Sequence, residues 1–158
     1  MKVNKTYIII VVVLIIFSFT VIINSHDNKQ STLKEILHPD SMYLIFRYSV
    51  SYCGDCIHEI CTKLVQLRDS IPCVNIIIIV SGGTFREMKV KMYPYKDVFP
   101  IFLMLNNDLD LPADKSNVPY MFFINDTKTT KHTLVIDPNS LDLLQEYIQT
   151  LSKKYCNY

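Results

Sequence analysis

The sequence predicts a mixed α/β fold: one sheet that opens with parallel strands, closes with an antiparallel hairpin and is flanked by helices on both faces. Three observations carry this. Strand-like and helix-like segments alternate from residue 42 to residue 93. The run Val74–Val80 is almost wholly apolar, as in a strand covered on both sides. Two short β-rich segments then flank a turn at Asp126-Thr127-Lys128 and precede a last amphipathic helix.

Taken in order, Ser31–Leu37 predicts a brief helix with Ser31 as its N-cap and Pro39 as its stop. Met42–Ser49 is rich in β-formers and bounded by Pro39 and a cysteine turn, so it reads as a strand. From Cys53 to about Asp69 the apolar positions Ile57, Ile60, Cys61, Leu64 and Leu67 recur at spacings of three and four, one helical face. Pro72 stops that helix, and the buried strand follows. Ser81-Gly82-Gly83 turns the chain, and Thr84 caps a helix reaching about Tyr93 before Pro94. Ile101–Leu105 predicts a short strand and Asn106–Asn117 an acidic loop. Tyr120–Asn125, opened by Pro119, pairs with Thr133–Ile136 as a hairpin. Pro138 opens a final helix whose buried stripe is Leu141, Leu144, Ile148 and Leu151.

Composition narrows function. The chain has 158 residues and a net charge of +1, so no basic face marks it for nucleic acid. With 49% hydrophobic and 20% charged residues it has the makings of a packed domain. Only three glycines are present, and Gly82-Gly83 is the one pair, which leaves no glycine-rich nucleotide loop.

Residues 7–23, YIIIVVVLIIFSFTVII, are uncharged and follow Lys2 and Lys5. A basic start and a long apolar run mark an export signal or a membrane anchor. Seventeen residues at 1.5 Å each make about 26 Å of helix, near the lower limit for a span. The best small-x-small site, Ser18-Phe19-Thr20, lies inside the run, which favours a retained anchor over a cleaved signal. The expected organisation is a cytoplasmic segment 1–6, an anchor 7–23, a linker 24–39 and one domain 40–158. The domain then lies outside the cytoplasm, on the periplasmic side of a cell inner membrane, where thiols oxidise and exchange.

The chemistry is in Tyr52-Cys53-Gly54-Asp55-Cys56, where the first strand ends and a helix begins. A helix N-terminus offers free N–H groups and partial positive charge, both of which favour a thiolate. Cys53 reads as the attacking sulfur and Cys56, one turn inward, as the resolving one. Other uses of the pair fit less well. Zinc needs two more ligands, and Cys61, Cys73, His58 and His132 match no ribbon or finger spacing. Haem attachment needs a histidine directly after the second cysteine, where Ile57 stands. An inert disulfide at this spacing would be a poor staple. No metal or cofactor is expected. Cys61 and Cys73 read as core thiols, Cys156 as an exposed thiol near the end, and His58 as a helix-surface residue.

Three stretches now carry a resemblance to the thioredoxin superfamily over about residues 40–155. They are the strand ending in Tyr52-Cys53-Gly54-Asp55-Cys56, the segment Asn117-Val118-Pro119-Tyr120-Met121-Phe122-Phe123-Ile124, and the closing helix. The wide gap between Cys56 and Pro119 resembles the anchored, extracytoplasmic TlpA/ResA-like branch, which inserts structure between core strands. The resemblance implies thiol–disulfide exchange on exported proteins, with a disulfide-containing protein or peptide as substrate, a membrane thiol donor as partner, and reduction as the working direction. It also implies a cis Val118–Pro119 bond facing Cys53. Such a bond would also explain a proline opening a strand that looks central, and would leave Val118 to pair with substrate. Tyr48, Tyr52 and Tyr120 read first as packing residues, with Tyr52 and Tyr120 as candidate flanks of a substrate groove. The chain departs from the family at three positions. Tyr52 replaces the usual tryptophan, Asp55 the usual proline, and Arg47 the usual acidic or amide residue. Arg47 either points inward, where the family's buried proton acceptor is missing, or outward into solvent. Asp55 either takes over acid–base work or serves the helix N-terminus, and its charge opposes a thiolate on Cys53. The second function class is a non-catalytic thioredoxin-like module that holds a partner or metal near the membrane.

Overall fold

The computed structural model describes residues 37–38, 40–104, 118–126 and 129–156. The anchor 7–23, the helix expected over 31–37 save its last residue, and the acidic loop lie outside those residues.

The elements run β1 (Met42–Ser49), α1 (Gly54–Leu67), β2 (Val74–Ser81), α2 (Phe85–Met92), β3 (Ile101–Met104), β4 (Tyr120–Asp126), β5 (Thr129–Val135) and α3 (Leu141–Tyr155). Short 3₁₀ turns follow α1 and α2 and precede α3, the last over Pro138–Ser140. The sheet order is β3-β2-β1-β4-β5. β1 pairs parallel to β2, and β2 to β3. β4 is antiparallel to both β1 and β5. The sheet therefore opens parallel and closes with a hairpin, as the pattern of apolar residues predicted.

The two faces of β1 show why its sequence is so apolar. Leu44, Phe46 and Tyr48 enter one cluster with Ile57, Ile60, Cys61 and Leu64 of α1, Met88 and Met92 of α2, and Leu144, Ile148 and Leu151 of α3. Tyr43 and Ile45 enter a second cluster with Ile77, Ile79, Tyr120, Phe122 and Ile124. β1 and β2 are thus buried on both faces, and a polar face would have left them unpaired with any partner layer. No described helix contributes to the second cluster, so among the described residues helices line one face and not the two expected.

Helix starts follow local chemistry. Thr84 and Glu87 form a reciprocal capping box at the start of α2. Pro138 opens a 3₁₀ turn instead of the last helix itself, and α3 begins three residues later. α3 is tied to α1 by Lys63 Nζ donating to Gln145 Oε1 at 2.9 Å, and to the turn after α1 by Ser152 Oγ donating to the Ser70 carbonyl at 2.7 Å.

Cys73 and Cys156 form a disulfide, with Cα atoms 5.7 Å apart. This corrects the reading of Cys73 as a core thiol and of Cys156 as an exposed one. Cys73 sits just before β2 and Cys156 just after α3, and the packing of α3 on the sheet brings those two ends together. Cys53, Cys56 and Cys61 are free.

Candidate active site

β1 delivers the chain to the end of the sheet, and the loop 50–52 turns it into α1. The Val50 amide donates to the Ser81 carbonyl at 2.9 Å, and Ser81 Oγ donates back to the Tyr48 carbonyl at 3.1 Å. The Tyr52 amide donates to the Ser49 carbonyl at 2.9 Å. The entry to the cysteine pair is therefore held by backbone as well as side chains.

Cys53 is the N-cap of α1 and is exposed; Cys56 is half-buried. The Cys56 amide donates to Cys53 Sγ at 3.4 Å. Sulfur takes the place that a serine or aspartate oxygen takes in an ordinary cap. The two thiols are driven apart. Hydrogen bonding from the Cys56 side chain, then from its amide and that of Asp55, holds the Cys53 thiol below its ordinary value, with desolvation and the Asp55 charge opposing. Cys56 goes up, first because its thiol is the donor in that bond, then through desolvation and the Cys53 charge. An exposed sulfur held below the ordinary thiol value, beside a neighbour held above it, is an arrangement that can carry out thiol exchange.

Asp55 lies in the first turn of α1, where its charge suits the helix N-terminus and disfavours a thiolate on Cys53. Tyr52 is half-buried, packed on the main core at the mouth of the site. Its phenol is pushed up by desolvation, then by Cys56, Asp137 and Cys53. Asp137 was missed in the sequence: it belongs to the turn after β5, and only the hairpin's return brings it beside Tyr52.

Arg47 is buried, which removes the solvated alternative. Alternation along β1 places it on the face of Tyr43 and Ile45, away from α1. The residue beneath α1 is Tyr48, also buried, its phenol pushed up by desolvation and by nearby Cys61. Cys61 itself is buried and its thiol is pushed up to about 12 by desolvation alone. His58 is exposed on α1 and bonds through Nδ1 to the Tyr95 hydroxyl, away from the cysteine pair.

Two expectations for the second segment change. Among the described residues no peptide bond is cis, so Val118–Pro119 is trans. The reason is visible in the register: the β1–β4 ladder begins at Arg47↔Tyr120, one residue after Pro119, so the proline withholds no ladder donor and the ordinary trans preference stands. The Pro119 carbonyl accepts from the Ile136 amide at 2.9 Å. Tyr120 is buried in the second cluster, against Phe122, and is a core residue, not a groove flank. Val118 is half-buried and Pro119 buried, at the same end of the sheet as the cysteine loop. Among the described residues no group of three or more histidine, cysteine or acidic side chains could hold a metal ion.

No protein-family model matches the sequence, and no curated protein matches it at a significant level. Solved structures do match. A thioredoxin-like protein in its oxidised form is 13% identical, with a TM-score of 0.55 over 78% of this chain and 86% of that one. A thioredoxin-like protein from Porphyromonas gingivalis is 14% identical, with a TM-score of 0.51 over 75% and 80%. A secreted disulfide oxidoreductase of Mycobacterium tuberculosis is 13% identical, with a TM-score of 0.48 over 72% and 84%. The first two share the fold, and the fold of this chain is thioredoxin-like. Its cysteine pair stands at the start of the helix after the central strand.

Proposed function

We propose that the protein is a thiol–disulfide oxidoreductase of the TlpA/ResA-like kind, held to a membrane by residues 7–23 and acting as a disulfide reductase on exported proteins. One observation carries the chemistry: the exposed Cys53 sulfur caps α1 and ionises early, while Cys56 keeps its proton. The Cys53 thiolate attacks one sulfur of a substrate disulfide. That S–S bond breaks, a mixed disulfide forms, and the first substrate sulfur leaves as a thiolate that takes up a proton. Cys56 then gives up its proton and attacks Cys53 Sγ. The Cys53–Cys56 bond forms, the second substrate sulfur leaves, and two electrons have passed to the substrate. A membrane thiol donor returns the pair to the dithiol. Tyr52 flanks the attacking sulfur, and Val118 offers backbone to an extended substrate at the same end of the sheet.

The test is reduction of insulin by dithiothreitol with the full chain in mild detergent. Acceleration is expected, and it vanishes in Cys53→Ser. A Cys56→Ser variant should accumulate mixed disulfides through Cys53. A wild-type protein that leaves the insulin rate unchanged and traps nothing overturns the proposal in favour of a binding module.

A further inference from the structure

The loop that presents Cys53 is gripped from a second direction. Lys91, in the last turn of α2, donates from Nζ to the carbonyl of Val50 and, at 3.4 Å, to the carbonyl of Tyr52. These are the first and last residues of the three-residue loop 50–52, and the Tyr52 carbonyl belongs to the peptide that leads directly into Cys53. The lysine is separated from them by about forty residues of sequence, and it crosses from α2 to do this while itself exposed. An exposed lysine in water gains little from one carbonyl and loses side-chain freedom. Holding two carbonyls of one loop orients the loop.

The surroundings are shaped to the same end. Gly82 and Gly83, both in the left-handed region, bring the start of α2 against the loop; a Cβ on Gly83 would land on the Val50 side chain. Glu87, drawn down by Thr84 and by Lys91, fixes the first turn of the helix that carries the lysine.

We propose that Lys91 is a positioning residue for the exchange couple: its ammonium fixes the carbonyls of Val50 and Tyr52 and so sets the backbone from which the Cys53 sulfur meets the amide of Cys56. This deepens the exchange reading of the site and rests on it. Without that grip the loop samples other orientations and the sulfur spends less time as the acceptor of the Cys56 amide. Asp55 and Cys56 of α1 bear on Cys53 itself, and Cys53 bears on Tyr52 of the loop. Glu59 of α1 bears on Cys56, Asp137 of the turn before α3 on Tyr52, and Lys91 of α2 on Glu87 and on the loop carbonyls.

The test uses the reduced full chain in mild detergent, with iodoacetamide as probe and labelled peptides mapped by mass. Wild type gives the pH midpoint of Cys53 alkylation. In Lys91→Met the midpoint should rise and the rate at neutral pH should fall severalfold, while Lys91→Arg, which can still donate to both carbonyls, should stay within twofold of wild type. The thermal midpoint is measured alongside, since a merely structural lysine lowers it without moving the alkylation profile. An unchanged Cys53 profile in Lys91→Met, or equal effects of methionine and arginine, overturns the inference. If Lys91→Met does not fold, Lys91→Gln is read by the same criteria. Insulin reduction by wild type is scored separately: its absence defeats the exchange reading, whereas the alkylation profiles decide the role of Lys91.

Discussion

Cys73 and Cys156 close a disulfide across 83 residues of sequence, joining the entrance of β2 to the end of α3. Both are half-buried against the main core, on residues that no helical or strand period singles out. The bond binds the last element of the chain to the middle of the sheet, and Ser152 reaches the same turn through the Ser70 carbonyl.

Loss of that bond should be felt in stability. A Cys73→Ala, Cys156→Ala double variant is expected to unfold at lower denaturant, with a loss of about 2–4 kcal/mol, because the unfolded chain regains the freedom of a long loop. Urea titration followed by circular dichroism checks this. Alkylation of Cys53 should be little changed.

The two site thiols should separate on a pH axis. Cys53 is held below the ordinary thiol value, so its alkylation rate should reach half-maximum at a pH below that of a free cysteine. Cys56 is pushed the other way and should label only at higher pH. The sign follows from the thiolate being the reactive form: a lowered value means more of it at neutral pH. Equal labelling of both, or Cys56 first, would reverse the roles assigned here.

Cys61 should be silent. Its thiol is pushed up to about 12 by burial, and its side chain is fully buried. At pH 8 it should remain unlabelled while Cys53 is complete, and denaturant should expose it. Peptide mapping before and after urea reads both states.

Gly83→Ala should disturb the site from outside it. Gly83 has φ +70°, where a side chain costs about 1–2 kcal/mol. The new methyl also meets the Val50 side chain and approaches Glu87 Oε2 at 3.0 Å. A lower thermal midpoint is expected together with a slower Cys53 alkylation at neutral pH. Gly54→Ala is the control: a Cβ there meets nothing within 4 Å.

Much of the fold was legible because it is periodic. The limits of β1 were read as Met42–Ser49 and are so, and the stripe of α1 at Ile57, Ile60, Cys61 and Leu64 is buried as its spacing implied. The Cys53–Cys56 pair was legible because both residues are neighbours on one helical turn. What failed depends on contacts between distant residues. The partnership of Cys73 with Cys156 leaves no trace in spacing. Lys91 reads as one more surface lysine on α2 until the turn at Gly82-Gly83 folds it over the loop. Asp137 joins the site only because β5 returns to the end where β1 stops. Tyr120 could be read as packing or as a groove flank, and its pairing with Arg47 decides for packing by putting its ring in the second core layer. The proline bond followed the backbone register, which a motif does not encode.

β1 also sets a direction for the whole molecule. It runs from Met42 toward the cysteine loop, so eight residues of strand, seven rises, place its first residue about 23 Å from its last. The strand is entered at the end of the sheet opposite the cysteine loop, so the exposed sulfur and the entry to β1 stand at two poles of one sheet, a single strand's length apart.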